Sequence, residues 1–276
     1  DSAGADIINS SLGYTVFDDP SQNHTYEEMN GNITRVSRAA DMAASKGMLV
    51  VVSAGNQGNS GWRYISAPAD ADSVMAAGAI DMNRNVAYFS SRGPSSDNDV
   101  KPDVMAIGLG TYMSGYDGSI VQGNGTSLSA PVITGLAACL WQDNPNATVM
   151  EMLSAIRESS DRYAMPDEEY GFGIPDFNLA SVLLKANEEV PGFAGKVTTF
   201  PNPFRDKLYL IFNPSVDDPV HIILYDLAGK EIANYTYPAF PDRKYLLLEG
   251  EGFADLPKGV YLLKTDVSGF SQVVKM

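Results

Sequence analysis

The stretch Asn124-Gly125-Thr126-Ser127-Leu128-Ser129-Ala130-Pro131 sets a serine where a small-residue turn gives way to an apolar run with helical spacing. In the first turn of a helix such a serine has a backbone N–H with no helical acceptor, and its Oγ lies at the positive end of the helix dipole. Both properties favour a developing negative charge, so Ser127 is a candidate nucleophile and its N–H a candidate oxyanion donor. The same residue types also cap helices, and the motif alone leaves open whether Thr126 or Ser127 is only an N-cap. The spacing is G-T-S-L-S, not G-x-S-x-G, which excludes a hydrolase nucleophile elbow. Pro131 is expected in the first helical turn, where a missing N–H costs little.

Two further stretches carry compatible chemistry. Val50-Val51-Val52-Ser53-Ala54-Gly55-Asn56 ends an apolar, β-branched run in a small-residue turn with an amide. Ligands gather at the C-terminal ends of strands in α/β sheets, and an Asn56 N–H₂ there is placed to donate to an oxyanion. Ser11-Leu12-Gly13 closes another strand, and its glycine leaves room for an extended peptide to pair along the backbone. A serine nucleophile also needs a base. The chain has two histidines, His24 in the polar loop Q-N-H-T-Y and His221 in a strand-like run.

The elements that must hold these residues alternate. Residues 5–12 read as a strand, 32–46 as a helix with Asn32 at its N-cap and Gly47 beyond its last turn, and 48–52 as a buried strand. Further buried strands are expected at 74–80 and 104–107, and helices at 128–142 and 148–158. That order predicts a parallel α/β sheet with right-handed crossovers and helices on both faces. After about Ala186 the pattern changes. N-E-E-V-P-G-F-A-G reads as a linker (188–196), dividing a first domain (1–187) from a second (197–276). Beyond it, K-L-Y-L-I-F, P-V-H-I-I-L-Y, K-Y-L-L-L, G-V-Y-L-L-K and Q-V-V-K-M alternate between turn signals, which predicts a small all-β sandwich.

Composition narrows the function classes. The 276 residues carry a formal net charge of −15, which opposes binding to a phosphate backbone and argues against nucleic acid as a partner. The first 195 residues hold 10 Lys+Arg against 24 Asp+Glu, and the remainder 9 against 10. A single cysteine, Cys139, excludes an internal disulfide and a thiol metal site; its apolar neighbours predict burial. No run of about 18 apolar residues occurs, so no transmembrane segment is expected. The start, Asp1-Ser2-Ala3-Gly4, leads to the expectation that the chain is a piece of something longer.

Taken together, I-I-N-S-S-L-G, V-V-V-S-A-G-N-Q-G, F-S-S-R-G-P, K-P-D-V-M-A-I-G and G-N-G-T-S-L-S-A-P occur in an order that resembles the subtilisin-like serine proteases, the subtilases, over residues 1–185. The resemblance implies Ser127 as nucleophile and Asn56 as oxyanion donor. It implies that Ser11, Leu12, Gly13, Ser53, Ala54 and Gly55 line the S1 site, with Ser66, Pro68 and Ala69 near its floor. The small lining residues lead to an expected apolar P1. Leu128, Tyr14 and Ile107 depart from the family's usual Met, Gly and Pro. In subtilases the triad order is Asp, His, Ser, and both earlier members precede the first strand seen here. His24 follows the S-L-G motif, so it is not promoted; His221 is expected half-exposed, and Asp6 a surface carboxylate. The Asp and His are therefore expected on an N-terminal half outside this sequence, and the chain alone is expected to be inactive. Structural Ca²⁺ is common in the family, but no ligands are assigned; Asp70 and Asp72 are expected to be solvated.

Residues 197–276, with P-N-P-F, D-L-A-G-K and L-P-K-G-V-Y, resemble the type A C-terminal sorting domain of type IX secretion substrates. That implies recognition by secretion machinery and a secreted or outer-membrane location in a Gram-negative cell. The functional expectation is a serine endopeptidase acting on a polypeptide substrate. The alternative is a non-catalytic surface binding or adhesion protein derived from a subtilase.

Overall fold

A computed structural model describes residues 2–187, 197–205, 207–212, 217–239, 245–249, 253, 256–267 and 269–276. The linker expected at 188–196 lies outside the described residues. The chain falls into two compact units, Asp1–Ser181 and Val182–Met276.

In the first unit, β1 (Ile7–Ser10), β2 (Leu49–Ser53), β3 (Met75–Ile80) and β4 (Val104–Ile107) build a parallel sheet of order β1-β2-β3-β4, with α1 (Arg35–Ser45) between β1 and β2 in the chain. Every residue of β2 and β3 is buried, as continuous apolar runs in a doubly covered sheet must be. α1 forms because an alanine-rich segment follows Thr34, whose Oγ1 accepts from Ser37 N at 3.2 Å. The cap is thus Thr34 and not Asn32. Ala40 of α1 packs with Val50 and Val52 on one sheet face. The hairpin β5 (Thr111–Ser114) and β6 (Ile120–Gly123) leads into α2 (Thr126–Asp143), which lies against the opposite face. Thr134 Oγ1 of α2 donates to Asn9 Oδ1 of β1 there. α3 (Val149–Glu158) and α4 (Phe177–Asn187) follow. α4 and the hairpin were not anticipated.

Two buried carboxylates pin the loops that enter this sheet. Asp70 accepts from Gly31 N at 3.0 Å and Ser37 Oγ at 2.6 Å. It is buried, contrary to expectation, because it serves donors in a loop and helix some 35 positions upstream. Asp103, just before β4, accepts from Ala76 N at 2.7 Å, Lys101 Nζ at 3.1 Å and Arg157 Nε at 2.8 Å. Lys101 Nζ also donates to Ala71 O at 2.9 Å. Burial alone would push the Asp103 carboxyl up, but Arg157 and Lys101 outweigh it and hold the group below the usual carboxylate range. Cys139 is exposed, not buried, since it lies on the outer face of α2.

The second unit is a sandwich. β10 (Glu231–Tyr237), β9 (Val220–Asp226), β12 (Tyr261–Val267) and β13 (Phe270–Lys275) form one antiparallel sheet in that order. β11 (Tyr245–Glu249), β8 (Lys207–Phe212) and β7 (Val197–Phe200) form the other. Leu208, Leu210 and Phe212 from one sheet meet Ile222, Leu224 and Leu263 from the other in a single core. Gln272 of β13 pairs with β7 as a strand would: Val197 N donates to its Oε1 and its Nε2 donates to Val197 O, both at 2.8 Å. Met276 pairs with Tyr261 through both backbone groups and is buried.

Candidate active site

α2 begins at Thr126 with Gly125 at its N-cap and no side-chain cap. Neither Thr126 nor Ser127 is the cap, because the side chain of each is engaged elsewhere. Thr126 N and Thr126 Oγ1 both donate to Asn56 Oδ1, each at 2.9 Å. Gly55 N donates to Thr126 Oγ1 at 3.2 Å, so the hydroxyl's own proton is left for Asn56. A backbone N–H can only donate, which fixes the Asn56 atom facing Thr126 as the oxygen. Nδ2 is thereby turned away. A Cβ built on Gly125 would stand 3.6 Å from Asn56 Nδ2 and 3.7 Å from Ser127 N. The two donors therefore border one small space, kept clear because residue 125 has no side chain.

Ser127 is half-buried beside β1. Its Oγ donates to Ser11 O at 3.5 Å, the limit of a hydrogen bond, and Ser11 Oγ donates to Ser127 O at 3.1 Å. Pro131 lies in the second turn of α2 and not the first. Its missing N–H is the one that would have reached the carbonyl four residues back, Ser127 O. Ser11 Oγ supplies the replacement donor.

The remaining sequence-predicted residues lie on two neighbouring strand exits, the walls Ser11–Gly13 and Ser53–Gly55, with Ser66 between them. Ser53 Oγ donates to Leu12 O at 3.5 Å, joining the walls. A Cβ on Gly13 would come within 2.8 Å of Ser66 Oγ, and one on Gly55 within 2.6 Å of the same atom. Ser66 Oγ thus fills the gap between the two glycines. Ser91 Oγ lies 2.7 Å from the Cβ position of Gly55, whose φ is +112°. Nothing in F-S-S-R-G-P assigns Ser91 a role from sequence; only the fold brings it here. Ala54 is buried in the core, and its carbonyl accepts from Ser66 N at 3.3 Å. Its contribution to the wall is backbone. Ala69 is likewise buried in the core, and Tyr14 N donates to Ala67 O at 2.8 Å.

Neither histidine bonds to Ser127. His24 Nδ1 is 2.9 Å from Glu28 Oε2 and its ring meets Phe17 edge-on. His221 lies exposed in β9 with Nδ1 3.0 Å from Thr236 Oγ1. Asp6 is exposed. Among the described residues, Asp72, Asp97 and Asp99 bring carboxylate oxygens within 4.8 Å of one another, all exposed. Partial burial, then Asp41, Asp99 and Asp97, raise the Asp72 pKa. Three exposed carboxylates fall short of the roughly six to eight oxygens a Ca²⁺ takes, and no metal role is assigned.

The comparisons with known proteins agree with this layout. Subtilisin DY of Bacillus licheniformis is 34% identical over 158 residues, covering 57% of this chain and 50% of that protein. Serine protease AprX of Bacillus subtilis (strain 168) is 31% identical over 177 residues, covering 56% of this chain and 38% of that protein. The chain thus spans half or less of the length of these two relatives. Among solved structures, the self-cleaved protease domain of PatA matches with a TM-score of 0.53 at 23% identity, covering 67% of this chain and 63% of that one. The prenylagaramide maturation protease PagA gives 0.52 at 21%, covering 66% and 63%. Both show the fold. Residues 198–276 match the secretion system C-terminal sorting domain, and residues 2–173 match the subtilase family. The chain belongs to the subtilase family and carries a C-terminal sorting domain behind its subtilase region.

Proposed function

We propose that the protein is a secreted serine endopeptidase that hydrolyses peptide bonds through an acyl-enzyme on Ser127. One observation carries this reading: Asn56 Nδ2 and the backbone N–H of Ser127 border the same small space at Gly125. Ser127 Oγ attacks the scissile carbonyl, a histidine takes its proton, and the two donors hold the oxyanion. Water then releases the acyl group. The peptide lies along Ser11–Gly13 and Ser53–Gly55, with an apolar P1 side chain directed toward Ser66.

The base and its aspartate come from a polypeptide segment outside these 276 residues. β1 is an edge strand of the sheet, and α2 exposes Val132 and Leu136. An unpaired parallel edge and an exposed apolar helix face are the surfaces such a segment would cover. Without it the chain hydrolyses peptides negligibly. Residues 197–276 address the protein to secretion machinery and so to the surface of a Gram-negative cell.

A second reading, a non-catalytic surface binding or adhesion protein, is favoured by a single observation. Among the described residues Ser127 Oγ bonds only to Ser11 O and to no imidazole. Labelling native-source protein with a fluorophosphonate separates the two. An adduct on Ser127, together with a further segment in the intact mass or in the complex, supports the protease. Intact protein that never labels supports the binder. Turnover by the 276-residue chain alone, abolished by Ser127→Ala, would refute the missing-base proposal.

A further inference from the structure

A proline sits inside the helix that carries the nucleophile, and its consequence falls on the nucleophile's own carbonyl. Pro131 has no N–H, so Ser127 O lacks the helical donor it would otherwise receive. The donor it has instead comes from the residue that follows β1, 116 positions away in sequence: Ser11 Oγ at 3.1 Å. The proton on that hydroxyl is committed. Asn9 Nδ2 donates to Ser11 Oγ at 3.2 Å, so Ser11 Oγ accepts there and gives its own hydrogen to Ser127 O. Asn9 is held in turn by Thr134 Oγ1, whose single proton is shared between Asn9 Oδ1 at 3.1 Å and Ala130 O at 2.8 Å. A polar chain therefore runs from the second turn of α2, through the edge strand, back to the first turn.

We infer that Ser11 is a positioning residue: through Pro131's missing N–H it fixes the backbone of Ser127, and with it the direction of the Ser127 N–H and Oγ. A helix that made its own bond at Ser127 O would be indifferent to β1. The proline transfers control of the first turn to the strand along which substrate is proposed to lie. The inference rests on Ser127 being the nucleophile for its kinetic part only.

The test is a double-substitution cycle. Pro131→Ala returns the N–H to the helix and, because Pro131 is exposed, removes little packing. Ser11→Ala removes the strand's donor, and Ser11→Thr keeps it. Labelling the Ser127 carbonyl with ¹³C and Leu128 with ¹⁵N makes that carbonyl visible by NMR in this chain, without turnover. Ser11→Ala is expected to move the signal upfield, Ser11→Thr to leave it, and Pro131→Ala with Ser11→Ala to bring it back. In the assembled protease, Ser11→Ala should slow fluorophosphonate labelling of Ser127 by about five- to tenfold, the size of one modest hydrogen bond, with rescue in the double variant. An unmoved carbonyl signal in Ser11→Ala, or a double variant no better than Ser11→Ala alone, overturns the inference. Wild-type protein that never labels would refute the protease reading, and the carbonyl signal would still decide the role of Ser11.

Discussion

At the scale of single residues the site is an arrangement of hydrogen atoms. Thr126 spends both of its donors on Asn56 Oδ1, which leaves Asn56 Nδ2 for the cleft. Asn56→Ala is therefore expected to lower kcat of the assembled protease by about 10²–10³, a magnitude measured on subtilisin itself, with KM nearly unchanged. Steady-state kinetics on one peptide series checks the split. Gly125→Ala places a methyl 3.6 Å from Asn56 Nδ2 and 3.7 Å from Ser127 N. That space is the one the proposed mechanism assigns to the oxyanion, and Gly125 has φ +152°, so the methyl also strains the backbone. The variant should lose most of its turnover, with circular dichroism and the thermal midpoint separating a blocked site from a destabilised fold. The places of Ser127 and Asn56 could be read from the sequence because each stands at the end of a strongly patterned element; their roles belong to the proposal. The role of Thr126 was not, because its partner lies 70 positions away. Ser91 escaped for the same reason: nothing near it in the chain says that its hydroxyl will stand beside Gly55.

Among the elements, β3 and β4 depend on a charge buried where β4 begins. Lys101 and Asp103 are each about 2% exposed, and Arg157 reaches Asp103 from α3. Asp103→Asn removes the carboxylate and leaves the Lys101 ammonium buried without its counter-charge. The expected loss is about 3–5 kcal/mol, read from urea unfolding at pH 7. Because the folded Asp103 pKa is depressed, its contribution is present above the unfolded value of about 3.9 and fades as pH falls through the folded one. The gap between wild type and Asp103→Asn should accordingly narrow below about pH 4. The apolar runs of β2, β3 and β4 announced themselves, since strands buried on both faces need unbroken hydrophobicity. K-P-D gave no sign of a buried lysine. β5 and β6 were missed because T-Y-M-S and I-V-Q-G are short and largely exposed. α4 had a signal that went unused: Asp176 Oδ1 accepts from Asn178 N and Leu179 N at its start.

For the whole molecule, charge and modularity govern behaviour. Most of the net charge of −15 lies in the first unit, where Asp72 shares its surroundings with Asp41, Asp99 and Asp97. A carboxyl whose folded pKa is raised opposes folding at any pH above both values. Asp72→Asn should thus raise the thermal midpoint at pH 7, and the gain should vanish near pH 3, where the carboxylates are protonated. Differential scanning calorimetry at the two pH values decides it. The sequence shows its change of pattern near Ala186, where the alternation of helix and strand gives way to short strands between turns, while the compact units divide a little earlier, at Ser181. β7 and β10 were not read, and neither was the pairing that closes the sandwich.

That pairing has a consequence for biogenesis. The amide of Gln272 takes the place of a neighbouring strand for Val197, and Met276 completes both the ladder beside Tyr261 and the core. β7 pairs along its length with β8, so β13 adds only the Gln272 amide on the far side of Val197. A nascent chain halted before Phe270 would keep the β7–β8 ladder but leave the Val197 N–H and C=O without that amide, and the core without Met276. The module therefore works as a buckle: two of its strands meet early, and the segment from Phe270 to Met276 fastens the sandwich by capping Val197 and closing the core.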